Sequence, residues 1–147
     1  MSTVAVLGAG SFGTTLAIHL ATAGHDTRLW GRDPAAMAQL GRSRENAKFL
    51  AGIHLPHEVK VHAELEAALD RAEFHLFVVP SQATRSVAAR VAATGARAMP
   101  VCASKGLELG TLRRIIILPP IPGLDSRTVT LEDGDYLMEE PWWDSLR

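Results

Sequence analysis

Five residues, Thr3–Leu7, run directly into Gly8-Ala9-Gly10-Ser11-Phe12-Gly13, and residues 14–23 then carry a helical apolar pattern. A run this short, stopped by glycine, reads as a buried strand. The G-x-G-x-x-G spacing constrains the fold more than any other feature, because its glycines have a mechanical meaning only between a strand and a helix. Gly8 permits the tight turn, Gly10 keeps a side chain out of the path of a pyrophosphate, and Gly13 lets helix and strand pack closely. Unpaired amides at Ser11, Phe12 and Gly13, together with the helix dipole, favour negative charge there, and the Ser11 hydroxyl adds one more donor. A glycine turn that merely packs is the bland alternative. The strand-turn-helix context argues instead for dinucleotide binding.

The same grammar continues along the chain. Leu16, Ala17, Leu20 and Ala23 fall on one helical stripe, and Gly24 is placed to end the helix. Residues 26–30 form a second short run, and Asp33-Pro34 reads as an N-cap followed by a first-turn proline, opening a helix through Leu40. A third strand over 59–62 precedes a helix over 63–72, with Leu65, Leu69 and Ala72 aligned. A fourth strand over 74–79 is broken by Pro80-Ser81, and a helix over 81–93 keeps Ala83, Val87 and Val91 in register until Gly95. A fifth strand follows over 98–103. Apolar strands alternating with helices predict an α/β fold: a Rossmann-like, doubly wound parallel sheet covered on both faces by right-handed crossovers.

Beyond Gly110 the pattern changes. The strand-like Ile115-Ile116-Ile117-Leu118 meets Pro119, Pro120 and Pro122, which stop both helix and central strand. The expected division is a dinucleotide-binding domain over 1–118 and a Pro-rich, acidic tail over 119–147. From Gly123 onward there are seven acids and two arginines, and Tyr136, Trp142 and Trp143 crowd the last dozen positions, so the tail is expected to dock. With 147 residues, 47% of them hydrophobic and 21% charged, the chain suits one soluble domain. A net charge of −1 offers no field for a nucleic-acid backbone. A lone cysteine, an N-terminus without a basic leader and the lack of a membrane-length apolar run together predict a cytoplasmic protein without a membrane span.

The end of the second strand should choose the nucleotide, since an acid there pairs with a ribose hydroxyl and an arginine accepts a 2'-phosphate. Here it reads Leu29-Trp30-Gly31-Arg32-Asp33. Asp33 stands before Pro34 and is assigned to capping, which leaves Arg32 for the nucleotide and favours NADPH over NADH; a solvated surface arginine is the alternative. His54, His57 and His62 lack cysteine companions and helical i, i+4 spacing, so no metal is assigned. Cys102, inside the fifth strand, is read as packing. Lys105 directly follows that strand, on the rim where open parallel sheets hold ligands, and its ammonium could hold a phosphate or polarise a carbonyl. Pro80 and Ser81 end the fourth strand on the same rim, as a turn and helix cap.

Five motifs in order carry a resemblance. Gly8 to Ala17, Leu29-Trp30-Gly31-Arg32-Asp33, Arg44-Glu45-Asn46 with Phe49-Leu50, Val78-Val79-Pro80-Ser81 and Ser104-Lys105-Gly106-Leu107-Glu108 resemble NAD(P)-dependent glycerol-3-phosphate dehydrogenase. The resemblance covers about Val4 to Glu108 and implies an oxidoreductase of glycerophospholipid metabolism that reversibly reduces dihydroxyacetone phosphate to sn-glycerol 3-phosphate. It also implies Ser11, Phe12 and Arg32 on the dinucleotide, and Lys105 beside both the cofactor and the substrate phosphate. The family continues into a helical domain bearing the lysine that protonates the developing alkoxide. No such segment follows Glu108, so the resemblance implies a fragment that is not catalytic by itself. The same residues also suit a stand-alone nicotinamide-nucleotide sensor, in which occupancy rather than turnover is the function. The expected partners are the nicotinamide dinucleotide, the triose or glycerol phosphate, and a further copy of the chain in a homo-oligomer.

Overall fold

The computed structural model describes residues 1–109. The strand expected over 115–118, the boundary near Leu118 and the acidic tail with its tryptophans lie outside the described residues. Strand β1 (Thr3–Leu7) leads through the glycine turn into helix α1 (Ser11–Thr22), followed by β2 (Asp26–Trp30) and α2 (Pro34–Ser43). A hairpin of β3 (Glu45–Asn46) and β4 (Leu50–His54) precedes β5 (Val59–His62) and α3 (Leu65–Leu69). The remaining elements are β6 (Phe74–Phe77), α4 (Ser81–Ala93) and β7 (Met99–Cys102).

The main sheet has the order β5-β2-β1-β6-β7, with every pairing parallel. The period-two alternation of strand side chains divides the core between its faces. Ala5 and Leu7 of β1 join Trp30 and Phe77 against Leu65, Ala68 and Leu69 of α3 and Val87, Ala88 and Val91 of α4. Val4 and Val6 point the other way, joining Leu29 and Val59 against Ala17 and Ala21 of α1 and Met37 and Leu40 of α2. Chain order runs outward from β1 through β2 on one side, then returns to place β6 on the other. The two directions part at the carboxyl ends of β1 and β6, the place where doubly wound sheets open a ligand crevice.

Five parallel strands and four main helices agree with the sequence reading; the differences have local causes. Helix α1 starts at Ser11 rather than residue 14, and its buried residues are Gly13, Thr14, Ala17 and Ala21. Of the expected stripe, Ala17 is buried, Leu20 is half-buried against the same cluster, Leu16 is half-buried and Ala23 is exposed. Helix α3 is shorter than the expected 63–72 because Asp70 leaves helical geometry at ψ 118° and Arg71 takes φ 50°. The Arg28 guanidinium bonds the Asp70 carbonyl oxygen at that turn. Cys102 is half-buried rather than enclosed, because β7 lies at the edge of the sheet.

The β3-β4 hairpin was not foreseen. Its strands lack alternating burial and are held by polar contacts instead: the Gly52 amide donates to Glu45 Oε1 at 2.9 Å. Arg44, at φ 53°, bonds the carbonyl oxygens of Leu55 at 3.2 Å, Val59 at 2.9 Å and Pro56, fastening the hairpin to the start of β5.

Candidate functional site at the sheet crest

Each glycine of the turn meets a different requirement. Gly8 has φ +130°, and a β-carbon there would lie 2.3 Å from the Val78 carbonyl oxygen, so it serves the junction of β1 with β6. A β-carbon at Gly13 would lie 1.8 Å from the Gly8 carbonyl oxygen, so α1 could not pack this close to the turn with any side chain there. Around Gly10 the situation is opposite: a β-carbon would meet nothing within 4 Å. Two glycines are needed by the protein's own packing, and the third borders open space.

That space faces a positive helix end. Gly10 caps α1 without a side-chain hydrogen bond, and no acid stands in the first turn. Among the described residues, the amides of Gly10, Ser11 and Phe12 donate to no protein acceptor. Such a terminus, with its donors free and the dipole uncompensated, favours an anion. Ser11 is exposed, and Phe12 is 51% exposed on the first turn of the helix, a large apolar ring left beside the crest.

At the end of β2 the two neighbouring charges separate cleanly. Asp33 Oδ1 accepts from the amides of Ala35 at 3.0 Å and Ala36 at 3.2 Å, so it caps α2 as expected. Arg32 is exposed and makes no hydrogen bond or ion pair among the described residues. Gly31, within the Leu29 to Asp33 motif, has a role that the sequence did not announce. A β-carbon there would lie 2.7 Å from Met37 Sδ and 3.1 Å from Ala9 Cβ, so the end of β2 closes directly against the glycine turn.

Lys105 lies on the opposite flank, in a segment tied down on both sides. Ser104 Oγ donates to the Val79 carbonyl oxygen at 2.6 Å. Gln82 Nε2 donates to the Leu107 carbonyl oxygen and Gln82 Oε1 accepts from the Leu109 amide, both at 2.9 Å. Arg85 grips Glu108 with two bonds of 2.7 Å. Between these anchors Lys105 is exposed and bonds nothing among the described residues. Pro80 is the N-cap of α4, but Ser81 does not cap: its hydroxyl lies inside the first turn and accepts from Gln82 Nε2 at 3.1 Å.

Among the described residues no group of three His, Cys, Asp or Glu side chains could hold a metal ion, and His54 and His57 form only a ring contact at 6.2 Å. No described helix is long and apolar enough to cross a membrane. Residues 3–118 match the family described as the NAD-dependent glycerol-3-phosphate dehydrogenase N-terminus. The chain belongs to this family. A glycerol-3-phosphate dehydrogenase (NAD(P)+) of Geobacillus kaustophilus is 43% identical over 140 residues, covering 95% of this chain and 38% of that protein. One from Thioalkalivibrio sulfidiphilus is 49% identical over 107 residues, covering 71% of this chain and 32% of that protein. The glycerol-3-phosphate dehydrogenase structure from Coxiella burnetii superimposes with a TM-score of 0.71 at 32% identity, covering 78% of this chain and 35% of that one. The chain therefore corresponds to the N-terminal, NAD-binding part of a glycerol-3-phosphate dehydrogenase and spans about two fifths of the relatives' length. The family's nicotinamide dinucleotide fits the crest: its diphosphate needs free amides and the volume a side chain at Gly10 would fill.

Proposed function

We propose that the crest binds NADPH in preference to NADH, as the cofactor half of an enzyme interconverting dihydroxyacetone phosphate and sn-glycerol 3-phosphate. The observation that carries this reading is the open space at Gly10 beside unpartnered helix-terminal amides. The amides of Gly10, Ser11 and Phe12 hold the diphosphate, the Ser11 hydroxyl adds a donor, and the Phe12 ring shields one side of the nucleotide. Gly8 and Gly13 hold the turn in shape.

Preference for NADPH rests on the division of labour at the end of β2. With Asp33 Oδ1 committed to two backbone amides, Arg32 is the residue there without a protein partner among the described residues. A guanidinium matches a 2'-phosphate, whereas a ribose hydroxyl calls for a carboxylate. On the other flank, Lys105 places an ammonium on the rim for the substrate phosphate and the cofactor. The bound nicotinamide supplies or takes up the hydride; this chain's residues bind, orient and neutralise charge around it. The reading is tested by calorimetric titration of the chain with NADPH and NADH, beside the same titrations of Arg32→Ala. Saturable binding of both, with the NADPH advantage lost in the variant, is expected. Equal affinity for the two cofactors in the unmodified chain overturns the NADPH assignment.

A further inference from the structure

Asn46, on the two-residue strand β3, reaches into the glycine turn from 37 residues away in sequence. Its Nδ2 donates to the Ala9 carbonyl oxygen at 2.9 Å and to Thr14 Oγ1 at 2.8 Å. A carbonyl oxygen can only accept, so the amide nitrogen faces the turn and both its hydrogens are used. Neither acceptor has its ordinary partner. Ala9 precedes the N-cap, outside the helix, where the first intrahelical bond runs from the Thr14 amide to the Gly10 carbonyl oxygen at 2.9 Å. Thr15 and Thr22 turn their hydroxyls back onto the helix, bonding Ser11 and Ile18 carbonyl oxygens at 2.9 Å. Thr14, only 1% exposed, instead has its hydroxyl engaged by Asn46 from outside the helix.

The peptide joining Ala9 to Gly10 is trans, so its C=O and N–H point in opposite directions. Fixing the Ala9 oxygen on Asn46 therefore aims the Gly10 N–H away from Asn46. That N–H donates to no protein acceptor among the described residues, and the space around Gly10 is open. A peptide flanked by glycine rotates readily unless something holds it. Asn46 is itself held, since Arg44, two residues before it, is bonded to the carbonyl oxygens of Leu55 and Pro56 in the link after β4 and of Val59 at the start of β5.

We infer that Asn46 is a positioning residue for the cofactor diphosphate, clamping the Ala9-Gly10 peptide so that the Gly10 amide is preset toward the anion. The inference rests on the dinucleotide reading of the crest. It predicts a loss confined to ligands carrying the diphosphate, whereas a merely structural residue would weaken all nucleotide binding alike.

The test compares ADP-ribose with adenosine on the full chain, by NMR titration. In the unmodified chain the Gly10 amide resonance moves with ADP-ribose and not with adenosine, while the Asn46 side-chain amide protons stay hydrogen-bonded throughout. Asn46→Ala weakens ADP-ribose about ten-fold, the worth of one such bond, and leaves adenosine within two-fold. Asn46→Leu keeps the branched shape, removes both donors and adds no charge, so it gives the same pattern and serves if the alanine variant does not fold. Equal losses for both ligands, no loss for either, or a Gly10 resonance indifferent to ADP-ribose overturns the inference. Failure of the unmodified chain to bind ADP-ribose at all would instead refute the dinucleotide reading beneath it.

Discussion

A β-carbon on Gly13 would sit 1.8 Å from the Gly8 carbonyl oxygen, so the first turn of α1 and the end of β1 are in backbone contact. Gly13→Ala must push the helix off the turn and costs about 3 kcal/mol of folding stability, the upper range for overpacking. Gly8→Ala costs about as much, since it adds the strain of φ +130° to a clash with the Val78 carbonyl oxygen. Gly10→Ala behaves differently. At φ −77° with open space around it, it changes stability by less than about 1 kcal/mol while weakening dinucleotide binding ten-fold or more. Denaturant melts paired with NADPH titrations separate the three, and a Gly10→Ala chain that binds normally contradicts the account.

At the end of β2, Asp33→Ala removes two bonds to the first turn of α2 and lowers stability by about 1 kcal/mol. It leaves the ratio of NADPH to NADH affinity unchanged. Arg32→Ala does the reverse, leaving the melt in place and weakening NADPH about ten-fold with NADH unaffected. Crossed results would return Asp33 to the ribose.

Much of this was legible in the sequence, because the glycine spacing, the Asp33-Pro34 pair and the short apolar strands are local signals whose physics acts within a few residues. The five parallel strands, the start and end of α4 and the Asp33 cap follow from them. The clamp on the turn was not legible. Asn46 and Arg44 act on partners distant in sequence, through a hairpin with no alternating pattern to announce it. Arg44-Glu45-Asn46 stood out only as part of a family resemblance, which gave no reason for those residue types. Gly31 had no role in the sequence for a similar reason: Ala9 meets it only once β2 pairs with β1, and Met37 only once α2 folds back over the end of β2.

Arg44 also makes a stability prediction. Its guanidinium holds three carbonyl oxygens, and its own carbonyl accepts from the Leu55 amide at 2.7 Å. Arg44→Ala leaves those acceptors to water and costs about 2 kcal/mol, with hydrogen exchange rising first at residues 45–55. Faster exchange spread evenly over the main sheet would show that the hairpin is not a separate unit.

Two histidines, His75 buried and His62 half-buried, set an acid limit. His75 is 3% exposed and burial lowers its pKa from the ordinary 6.5; burial, with Arg28 and Lys60 nearby, does the same to His62. Below pH 6.5 the unfolded chain takes up protons that the folded chain refuses, so stability is complete above that pH and declines as pH falls toward the folded values. The Asp26 carboxyl is held below 3.8, chiefly by its hydrogen bond to Lys60, with Arg28 adding to the effect, so it adds a second decline below pH 3.8. Urea melts across this range should show His75→Leu flattening the first slope and leaving the second. An unchanged first slope would remove His75 from the explanation.

The central claim is that the glycine crest of this chain holds a dinucleotide diphosphate, and calorimetric titration of the folded chain with NADPH tests it most directly. The account predicts saturable one-to-one binding that Gly10→Ala weakens at least ten-fold without lowering the melting temperature. A cooperatively folded chain that releases no heat with NADPH or NADH, or that binds equally well with Gly10→Ala, contradicts it.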